Sequence, residues 1–453
     1  MSAFDKIIGY ESIKEELKQL CDIMHNTDIY EKLGAKKPKG LLLHGDPGVG
    51  KSLMARTFME ESGRKSYIIR RSKHDGDFIN ELKAIFTEAA QNAPSIILLD
   101  DMDKFVVEDK STAEYVAVQA CIDDVAFSDV YIIATTNELY QIPDSLLRAG
   151  RFDCKVHVKW PKGDDALKII QHYIMSKSVA HDLNIDDIAK MLHGKSCAEL
   201  ETIINEAAIY AGFERSDKIA MEHIVRSFLR SEYGMSNSAE EIEPARLEMT
   251  AYHEAGHAVI SELLRPNSIG MASIHTCANE NWDGFVIRCS AWENTSNTLL
   301  MLLAGKAATE LKYGTVDEGA VTDIAHATKI VRENVTKEGL CGIGALDVFK
   351  SYEEPSTLLR ARQEDAIHAE LERYLSQAKA ILAKNIEFLD AVATALLEKK
   401  TLLHSDIKKL KEACGSNGFA EGIQCTKQSN HINIKQDKSK GKLSVLADKA
   451  QST

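Results

Sequence analysis

The feature that most constrains the fold of this chain is a phosphate-binding motif between a predicted strand and a predicted helix. The apolar run Gly40–His44 has the length of a buried strand, and a helical pattern then continues to about Glu61. The motif G-x-x-x-x-G-K-S lies between them and comprises Gly45, Asp46, Pro47, Gly48, Val49, Gly50, Lys51 and Ser52. Its backbone N–H groups surround phosphates, Lys51 reaches the terminal phosphates, and the Ser52 hydroxyl coordinates magnesium. The sequence therefore predicts an α/β domain that binds a nucleotide.

The segments after this motif alternate between strand and helix. Strands are predicted at 66–69, 95–99 and 130–135, and a helix at 78–90. This alternation is typical of a doubly wound parallel sheet with helices on both faces.

Polar residues follow two of these strands at the point where each strand ends. Asp100 and Asp101 follow the strand at 95–99, and Asn137 follows the strand at 130–135. Because the carboxyl ends of parallel strands form the mouth of the sheet, these side chains are expected beside the phosphates. We expect Asp100 to hold magnesium through water, Asp101 to polarise the attacking water, and Asn137 to orient that water or to sense the γ-phosphate. For each acid the alternative is an ordinary loop carboxylate.

Two arginines, Arg148 and Arg151, follow the last of these strands at an interval of three residues. One interpretation is that both are solvated surface charges. The other is that they reach the γ-phosphate bound by a neighbouring subunit, where an arginine finger increases the rate about 10³-fold or more. The second interpretation requires that the chain assembles into a ring.

A second motif lies in a helical pattern that runs from about residue 245 to 264 and ends before Pro266. His253 and His257 are four residues apart, so both imidazoles leave the same face of a helix and could hold one zinc ion. Glu254 could then accept a proton from water that zinc activates for attack on a peptide carbonyl. The alternative is a pair of surface histidines. The motif indicates hydrolysis if a third ligand lies downstream.

The third ligand is expected near the start of another predicted helix, at 320–338. A catalytic zinc ion keeps three protein ligands and leaves its fourth position open. Asp323 and His326 both lie in the first turns of this helix, and from the sequence alone either could be the ligand. Asp317 and Glu318 in the preceding loop are further candidates.

Composition excludes some classes of function. The net charge of −13 argues against nucleic acid as the main partner, because phosphate binding needs clustered lysine and arginine. Nine cysteines without a C-x-x-C pair favour a reducing compartment. No apolar run reaches the about 18 residues of a membrane span, and the N-terminus does not resemble a signal peptide. We expect a cytoplasmic protein without an integral membrane segment.

The chain is predicted to contain three domains. An α/β nucleotide-binding domain occupies 1–160 and a small helical bundle 161–232, and a polar linker at 233–244 leads to a mainly α-helical zinc peptidase domain at 245–412. The polar tail at 413–453 has no apolar periodicity and is expected to be disordered. Within the peptidase domain, short strands are predicted at 273–276 and 284–288. An edge strand there could hold an extended substrate by main-chain pairing.

These motifs together resemble a known family. Residues 1–232 look like an AAA+ ATPase module, and the chain from about Phe4 to Glu412 resembles the FtsH family of AAA+ ATP-dependent zinc proteases. The resemblance is carried by Pro38-Lys39-Gly40, the phosphate-binding motif, Leu-Leu-Asp-Asp-Met-Asp, Ala-Thr-Thr-Asn, Leu-Leu-Arg-Ala-Gly-Arg-Phe-Asp, Asn205-Glu206-Ala207-Ala208 and His-Glu-Ala-Gly-His.

The resemblance implies an ATP-dependent zinc endopeptidase that unfolds or translocates protein substrates, with ATP, Mg²⁺ and Zn²⁺ as cofactors. It also implies a homo-oligomeric ring, a hexamer in this family, and it favours Asp323 over His326 as the third zinc ligand. In this family the helical bundle, here at 161–232, is the lid over the nucleotide, and Gly194 and Ala198 match the family's Gly-Ala turn near the adenine. The alternative functions are an AAA+ remodelling ATPase or scaffold with a weakly active or inactive peptidase domain, and a metallopeptidase that ignores ATP.

The sequence departs from the family pattern in three places. The family typically carries transmembrane helices before the ATPase module, whereas this chain begins almost at the module and resembles a soluble variant. Asp101 stands where the family has glutamate, and its shorter side chain predicts slower ATP turnover with binding retained. The family's aromatic pore loop has no match between Tyr67 and Leu82, where Phe78 is the only aromatic residue after Tyr67.

Overall fold

The computed structural model describes residues 2–71, 75–106, 113–148, 150–234, 243–275, 284–289, 294–315, 318–337 and 356–415. Asp317, most of the predicted linker and residues 416–453 of the predicted disordered tail lie outside the described residues. Within the described ranges, no helix has both the length and the apolar character needed to cross a membrane.

The first part of the chain folds around a five-stranded parallel sheet. The strands are β1 (Gly40–His44), β2 (Lys65–Ile69), β3 (Ser95–Leu99), β4 (Val130–Thr136) and β5 (Cys154–His157), in the order β2–β3–β4–β1–β5. The helices of this part are α1 (Glu11–His25), α2 (Thr27–Lys32), α3 (Lys51–Ser62), α4 (Asp75–Gln91) and α5 (Ala113–Asp124). The predicted α/β domain with a doubly wound parallel sheet is confirmed.

The central strands are mostly apolar and are buried along almost their whole length, because both faces of the sheet are covered. Leu41 and Leu43 of β1 belong to a core that includes Phe58 of α3. Leu42, between them, belongs to a second core that includes Phe86 of α4. Successive side chains of β1 therefore pack into two separate cores on opposite faces of the sheet. The phosphate-binding motif follows the carboxyl end of this strand, between the two cores.

A helical lid follows the sheet. Its helices are α6 (Asp164–Met175), α7 (Ile185–Met191), α8 (Cys197–Phe213) and α9 (Met221–Tyr233). The helix α8 begins with a capping box, in which Ser196 and Glu199 each accept a hydrogen bond from the other's backbone N–H. This part matches the predicted lid.

The last part of the chain is mainly helical, as predicted. Its helices are α10 (Pro244–Leu264), α11 (Thr295–Leu302), α12 (Ala304–Tyr313), α13 (Val321–Thr336), α14 (Thr357–Lys384), α15 (Ile386–Lys399) and α16 (His404–Ala413). A small antiparallel sheet in the order β7–β6–β8 consists of β6 (Ile269–Ser273), β7 (Phe285–Arg288) and β8 (Thr401–Leu403). The helix α10 is buried continuously from Thr250 to Leu263, so it forms the centre of this domain.

Two local predictions in this domain were wrong. The strand expected at 273–276 lies instead at Ile269–Ser273, where it pairs with neighbours on both sides and its apolar residues are buried. The long helix expected at 295–313 is two helices that meet at Leu303. The sequence reasoning also missed α5, α16, β5 and β8. The two strands are short and pair with β1 and β6, which are distant from them in sequence.

The lid packs directly against the peptidase sheet. Met271 of β6 and Leu403 beside α16 belong to the same core as Ile188 and Met191 of α7. The rings of Tyr233 and Phe285 lie 4.3 Å apart between their centroids. The two parts therefore share a continuous apolar contact.

Candidate metal centre and nucleotide site

The helix α10 contributes two of the candidate metal ligands and the candidate general base. Pro244 occupies the first turn of this helix, where a proline fits because no backbone hydrogen bond is lost, and the helix ends at Leu264, two residues before Pro266. His253, Glu254 and His257 are all buried on it. The helical spacing thus places both imidazoles on one face, as predicted.

The structure brings Asp323 to these imidazoles from the first turn of α13. The Nε2 atoms of His253 and His257 lie 3.0 Å apart. Asp323 Oδ2 lies 3.0 Å from His257 Nε2 and 3.5 Å from His253 Nε2. Tetrahedral zinc with bonds of about 2.0–2.1 Å needs ligand atoms about 3.3 Å apart, so this set of two imidazoles and one carboxylate fits zinc.

The alternative ligand, His326, is exposed on the same helix. Among the described residues, the histidine, cysteine and carboxylate groups that converge closely enough to hold a metal ion are those of His253, His257 and Asp323. The side chain of Glu318 lies outside what the structure describes.

Hydrogen bonds orient the ligands. His257 Nδ1 donates to the carbonyl oxygen of Met301 at 2.8 Å, which leaves its Nε2 lone pair facing Asp323 and His253. Burial alone raises the pKa of the Asp323 carboxyl, but the close approach of the His253 and His257 imidazoles outweighs it and holds that pKa well below its usual range. The carboxylate is therefore ionised, which is the form that binds a metal.

Two glycines that the sequence reasoning missed lie against the site. A Cβ atom on Gly305 of α12 would come within 2.5 Å of His253 Cε1. A Cβ atom on Gly284, beside the edge strand β7, would come within 2.9 Å of Glu254 Oε1. The available signal for Gly305 was its place inside a predicted helix, where glycine is unfavourable unless close packing needs it.

The nucleotide site is a cavity of about 580 Å³ between the phosphate-binding motif, the N-terminal segment and the lid. From the motif it is lined by Pro47, Gly48, Val49, Gly50, Lys51 and Ser52. Tyr10, His172, Tyr173 and Glu201, which the sequence reasoning did not identify, line its other walls. Ala198 lines it as well and donates a backbone hydrogen bond to the Gly48 carbonyl, whereas Gly194 does not line it.

Lys51 is buried within this site. Its ammonium group donates to the carbonyl oxygens of Gly45 and Asp46, both at 2.7 Å, and to Asn137 Oδ1 at 2.8 Å. Burial lowers the pKa of Lys51, and nearby acids, Asp103 foremost, oppose that shift. The lysine is therefore held by weak neutral acceptors at the position where a phosphate would offer stronger ones.

Asp100 is 2% exposed at the carboxyl end of β3. Its Oδ1 atom accepts hydrogen bonds from the hydroxyls of Ser52 at 2.7 Å and Thr135 at 2.9 Å. A serine hydroxyl can be a direct ligand of Mg²⁺ and still donate its own hydrogen, and a neighbouring carboxylate can hold a water molecule of the ion's coordination shell. The contact between Ser52 and Asp100 fits this arrangement.

Asp101 and Asn137 lie at the cavity beside these groups. Asp101 has a left-handed backbone conformation, with φ of 57°, and its carboxylate contacts the Lys104 ammonium at 2.6 Å. The backbone N–H and side-chain amide of Asn137 both donate to Asp103 Oδ2 at 3.2 Å. This pairing fixes the amide of Asn137 with its oxygen toward Lys51.

The two arginines do not line the cavity of their own chain. Arg148 is exposed. Arg151 forms a two-point ion pair with Asp123, at 2.9 and 2.8 Å, and donates to the Ser145 carbonyl. Their place outside their own site is compatible with either interpretation made from the sequence.

Three family models match successive parts of the chain. The model of the ATPase family associated with various cellular activities (AAA) matches residues 41–160, the AAA+ lid domain matches 182–226, and peptidase family M41 matches 240–410. The matches follow the order of the nucleotide site, the lid and the metal centre.

Several proteins similar over most of the chain are ATP-dependent zinc metalloproteases. An ATP-dependent zinc metalloprotease FtsH 2 of Thermoanaerobacter sp. (strain X514) is 30% identical over 90% of this chain and 82% of its own length. An ATP-dependent zinc metalloprotease FtsH of Caldicellulosiruptor bescii is 30% identical over 90% of this chain and 71% of its own length. One from Leptotrichia buccalis is 29% identical over 94% of this chain and 59% of its own length. The chain thus spans between about three fifths and four fifths of these relatives.

Proposed function

Because the chain belongs to the FtsH family of ATP-dependent zinc metalloproteases, we propose that it uses ATP hydrolysis to deliver protein substrates to its own metal centre for cleavage. The observation that carries the proposal is the convergence of His253, His257 and Asp323 from two helices. A separate nucleotide cavity in the same chain supports the dependence on ATP.

In the proposed peptidase reaction, His253, His257 and Asp323 hold zinc, which when bound supplies Lewis acidity and activates water. Glu254 is the general base: it takes a proton from the attacking water and returns it to the leaving amine. The edge strand β7 pairs with the extended substrate backbone, and Gly284 lets that strand run close to Glu254.

In the proposed ATPase reaction, the backbone of the motif from Gly45 to Ser52 surrounds the phosphates. Lys51 exchanges its carbonyl and amide partners for phosphate oxygens. Ser52 would coordinate Mg²⁺ directly, and Asp100 would hold it through water. Asp101 polarises the attacking water, and Asn137 senses the γ-phosphate through its contact with Lys51.

We also propose that the chain forms a homohexameric ring in the cytoplasm. In the ring, Arg148 and Arg151 act on the γ-phosphate of a neighbouring subunit, which requires that Arg151 exchange its ion pair with Asp123 for the phosphate. Nucleotide-dependent oligomer size, measured by light scattering with the Arg151→Ala variant as comparison, tests this assembly.

The proposed function is tested by digestion of casein with and without ATP. Wild-type protein is expected to cleave casein only with ATP, and both Glu254→Gln and Lys51→Ala are expected to abolish cleavage. A wild-type chain that hydrolyses ATP but never cleaves casein would instead be a remodelling ATPase. Normal digestion by Lys51→Ala would indicate a metallopeptidase that ignores ATP.

A further inference from the structure

The carboxylate of Asp100, which is proposed to hold magnesium, forms an ion pair with an arginine through its second oxygen, Oδ2. Arg70 follows β2 directly, and its Nε and Nη2 atoms lie 2.9 and 2.5 Å from Asp100 Oδ2. Arg56 Nη2 lies 3.6 Å from the same oxygen. Arg70 is half exposed, whereas Asp100 is almost fully buried.

With these contacts, the chain's own donors satisfy both oxygens of the carboxylate. Ser52 and Thr135 donate to Oδ1, and Arg70 donates twice to Oδ2. A buried carboxylate is costly without a partner, so the guanidinium compensates a charge that would otherwise be unpaired. A cation of the protein, the Arg70 guanidinium, therefore already balances the charge that a metal ion would otherwise balance.

We propose that Arg70 is an internal counter-ion that neutralises Asp100 when no metal is bound and competes with Mg²⁺ for it. The proposal rests on the nucleotide site proposed above. A divalent cation beside Asp100 would lie close to the positive charge of Arg70. Because Asp100 is buried, water screens the repulsion between the two cations less than it would at an open surface. Magnesium binding must displace the guanidinium or act against its repulsion, so Arg70 raises the Mg²⁺ concentration that nucleotide binding needs.

The neighbouring arginine offers a matched control. Arg71 points to other partners: it donates to the Lys104 carbonyl at 2.9 Å and to Glu114 Oε1 at 3.1 Å. Substitution of Arg71 removes the same charge from the adjacent position while the contact between Arg70 and Asp100 is kept.

The experiment is a Mg²⁺ titration of the binding of a fluorescent ATP analogue to the full chain, followed by anisotropy. The Arg70→Ala variant is expected to reach half-maximal binding at a Mg²⁺ concentration about tenfold lower than wild type, since one charge-assisted contact is removed. The Arg70→Lys variant, which keeps the charge, is expected to stay within about twofold of wild type, as is Arg71→Ala.

An Arg70→Ala midpoint equal to or above that of wild type overturns the proposal, as does an equal decrease in Arg71→Ala. If Arg70→Ala does not fold by circular dichroism, Arg70→Gln replaces it, with the same expected decrease. The Lys51→Ala variant distinguishes a failure of the Arg70 role from a failure of the proposed ATPase function. If wild type binds no better than this variant at any Mg²⁺ concentration, the proposed ATPase function itself fails, and the role of Arg70 fails with it.

Discussion

Asp323 enters the metal centre from a different helix than both histidines, and its carboxylate lies within 3.5 Å of each imidazole. His326, which is exposed on the same helix, was a rival candidate from the sequence alone. At the scale of single residues, the identity of the third ligand is the point on which the peptidase proposal depends.

We expect Asp323→Asn to weaken zinc binding about 100-fold or more, because a charged ligand is replaced by a neutral amide. His326→Asn is expected to retain zinc, since its side chain lies outside the cluster. Zinc content per chain after dialysis against a weak chelator measures both variants. Loss of zinc from His326→Asn, with zinc retained by Asp323→Asn, would contradict the assignment.

A second residue-scale prediction concerns Asp101, whose carboxylate contacts Lys104 and is one methylene shorter than glutamate. Asp101→Glu is expected to increase the rate of ATP hydrolysis about ten- to a hundredfold, because a longer side chain brings the carboxylate closer to the attacking water. ATP affinity should stay unchanged. Phosphate release and nucleotide binding measure the two effects separately, and an unaltered hydrolysis rate would refute this explanation.

At the scale of elements, α10 and α12 approach each other closely because both carry glycine at the crossing. A Cβ atom on Gly256 would lie 2.5 Å from the Ala304 carbonyl oxygen, and one on Gly305 would meet the His253 ring. The position of the first ligand's imidazole is therefore set by the packing of two helices as well as by its own rotamer.

We expect Gly305→Ala to displace the His253 imidazole and weaken zinc binding about tenfold or more, with loss of casein cleavage. ATP hydrolysis should continue, because the nucleotide cavity is elsewhere in the chain. Gly212→Ala is the control: Gly212 lies in α8, an added Cβ meets nothing within 4 Å, and alanine there should be neutral or stabilising by about 0.5–1 kcal/mol. If Gly305→Ala keeps its full zinc content and cleaves casein normally, the proposed role of Gly305 in positioning His253 is wrong.

At the scale of the whole molecule, the lid and the peptidase domain meet through polar groups as well as through their shared core. Asp187 of α7 is 2% exposed and accepts hydrogen bonds from the Ser405 N–H at 2.9 Å and hydroxyl at 2.6 Å. Gly270 of β6 also lies against the backbone of Lys190. Motion of the lid during an ATP cycle would therefore reach the peptidase sheet directly.

Asp187→Ala is expected to lower the free energy of unfolding by about 1–3 kcal/mol, because it removes a buried acceptor from two donors of Ser405. Its neighbour Asp186 has a side chain that is 55% exposed and pairs with Lys190 one turn along the helix, so Asp186→Ala should cost at most about 0.5 kcal/mol. Thermal melting of both variants makes the comparison. Equal melting temperatures would show that this contact does not hold the two domains together.

The resemblance and the fold class predicted from the motifs are confirmed. The domain boundaries at 160, 232 and 244 stay predictions. Prediction of elements worked best for long periodic segments such as α10 and for the apolar strand β3. It failed for β8, since a three-residue strand has no periodicity and is stabilised by its partner β6.

By itself the sequence determined the groups that one element carries at fixed spacing: His253, Glu254 and His257 on a helix, and Lys51 and Ser52 at the end of a loop. Local backbone geometry fixes such spacings whatever the rest of the chain does. Only the tertiary structure decided the remaining contacts: which of Asp323 and His326 faces the imidazoles, that Gly305 makes room for His253, and that Arg70 pairs with Asp100. These contacts join elements far apart in the sequence, and packing of the whole chain sets their distances.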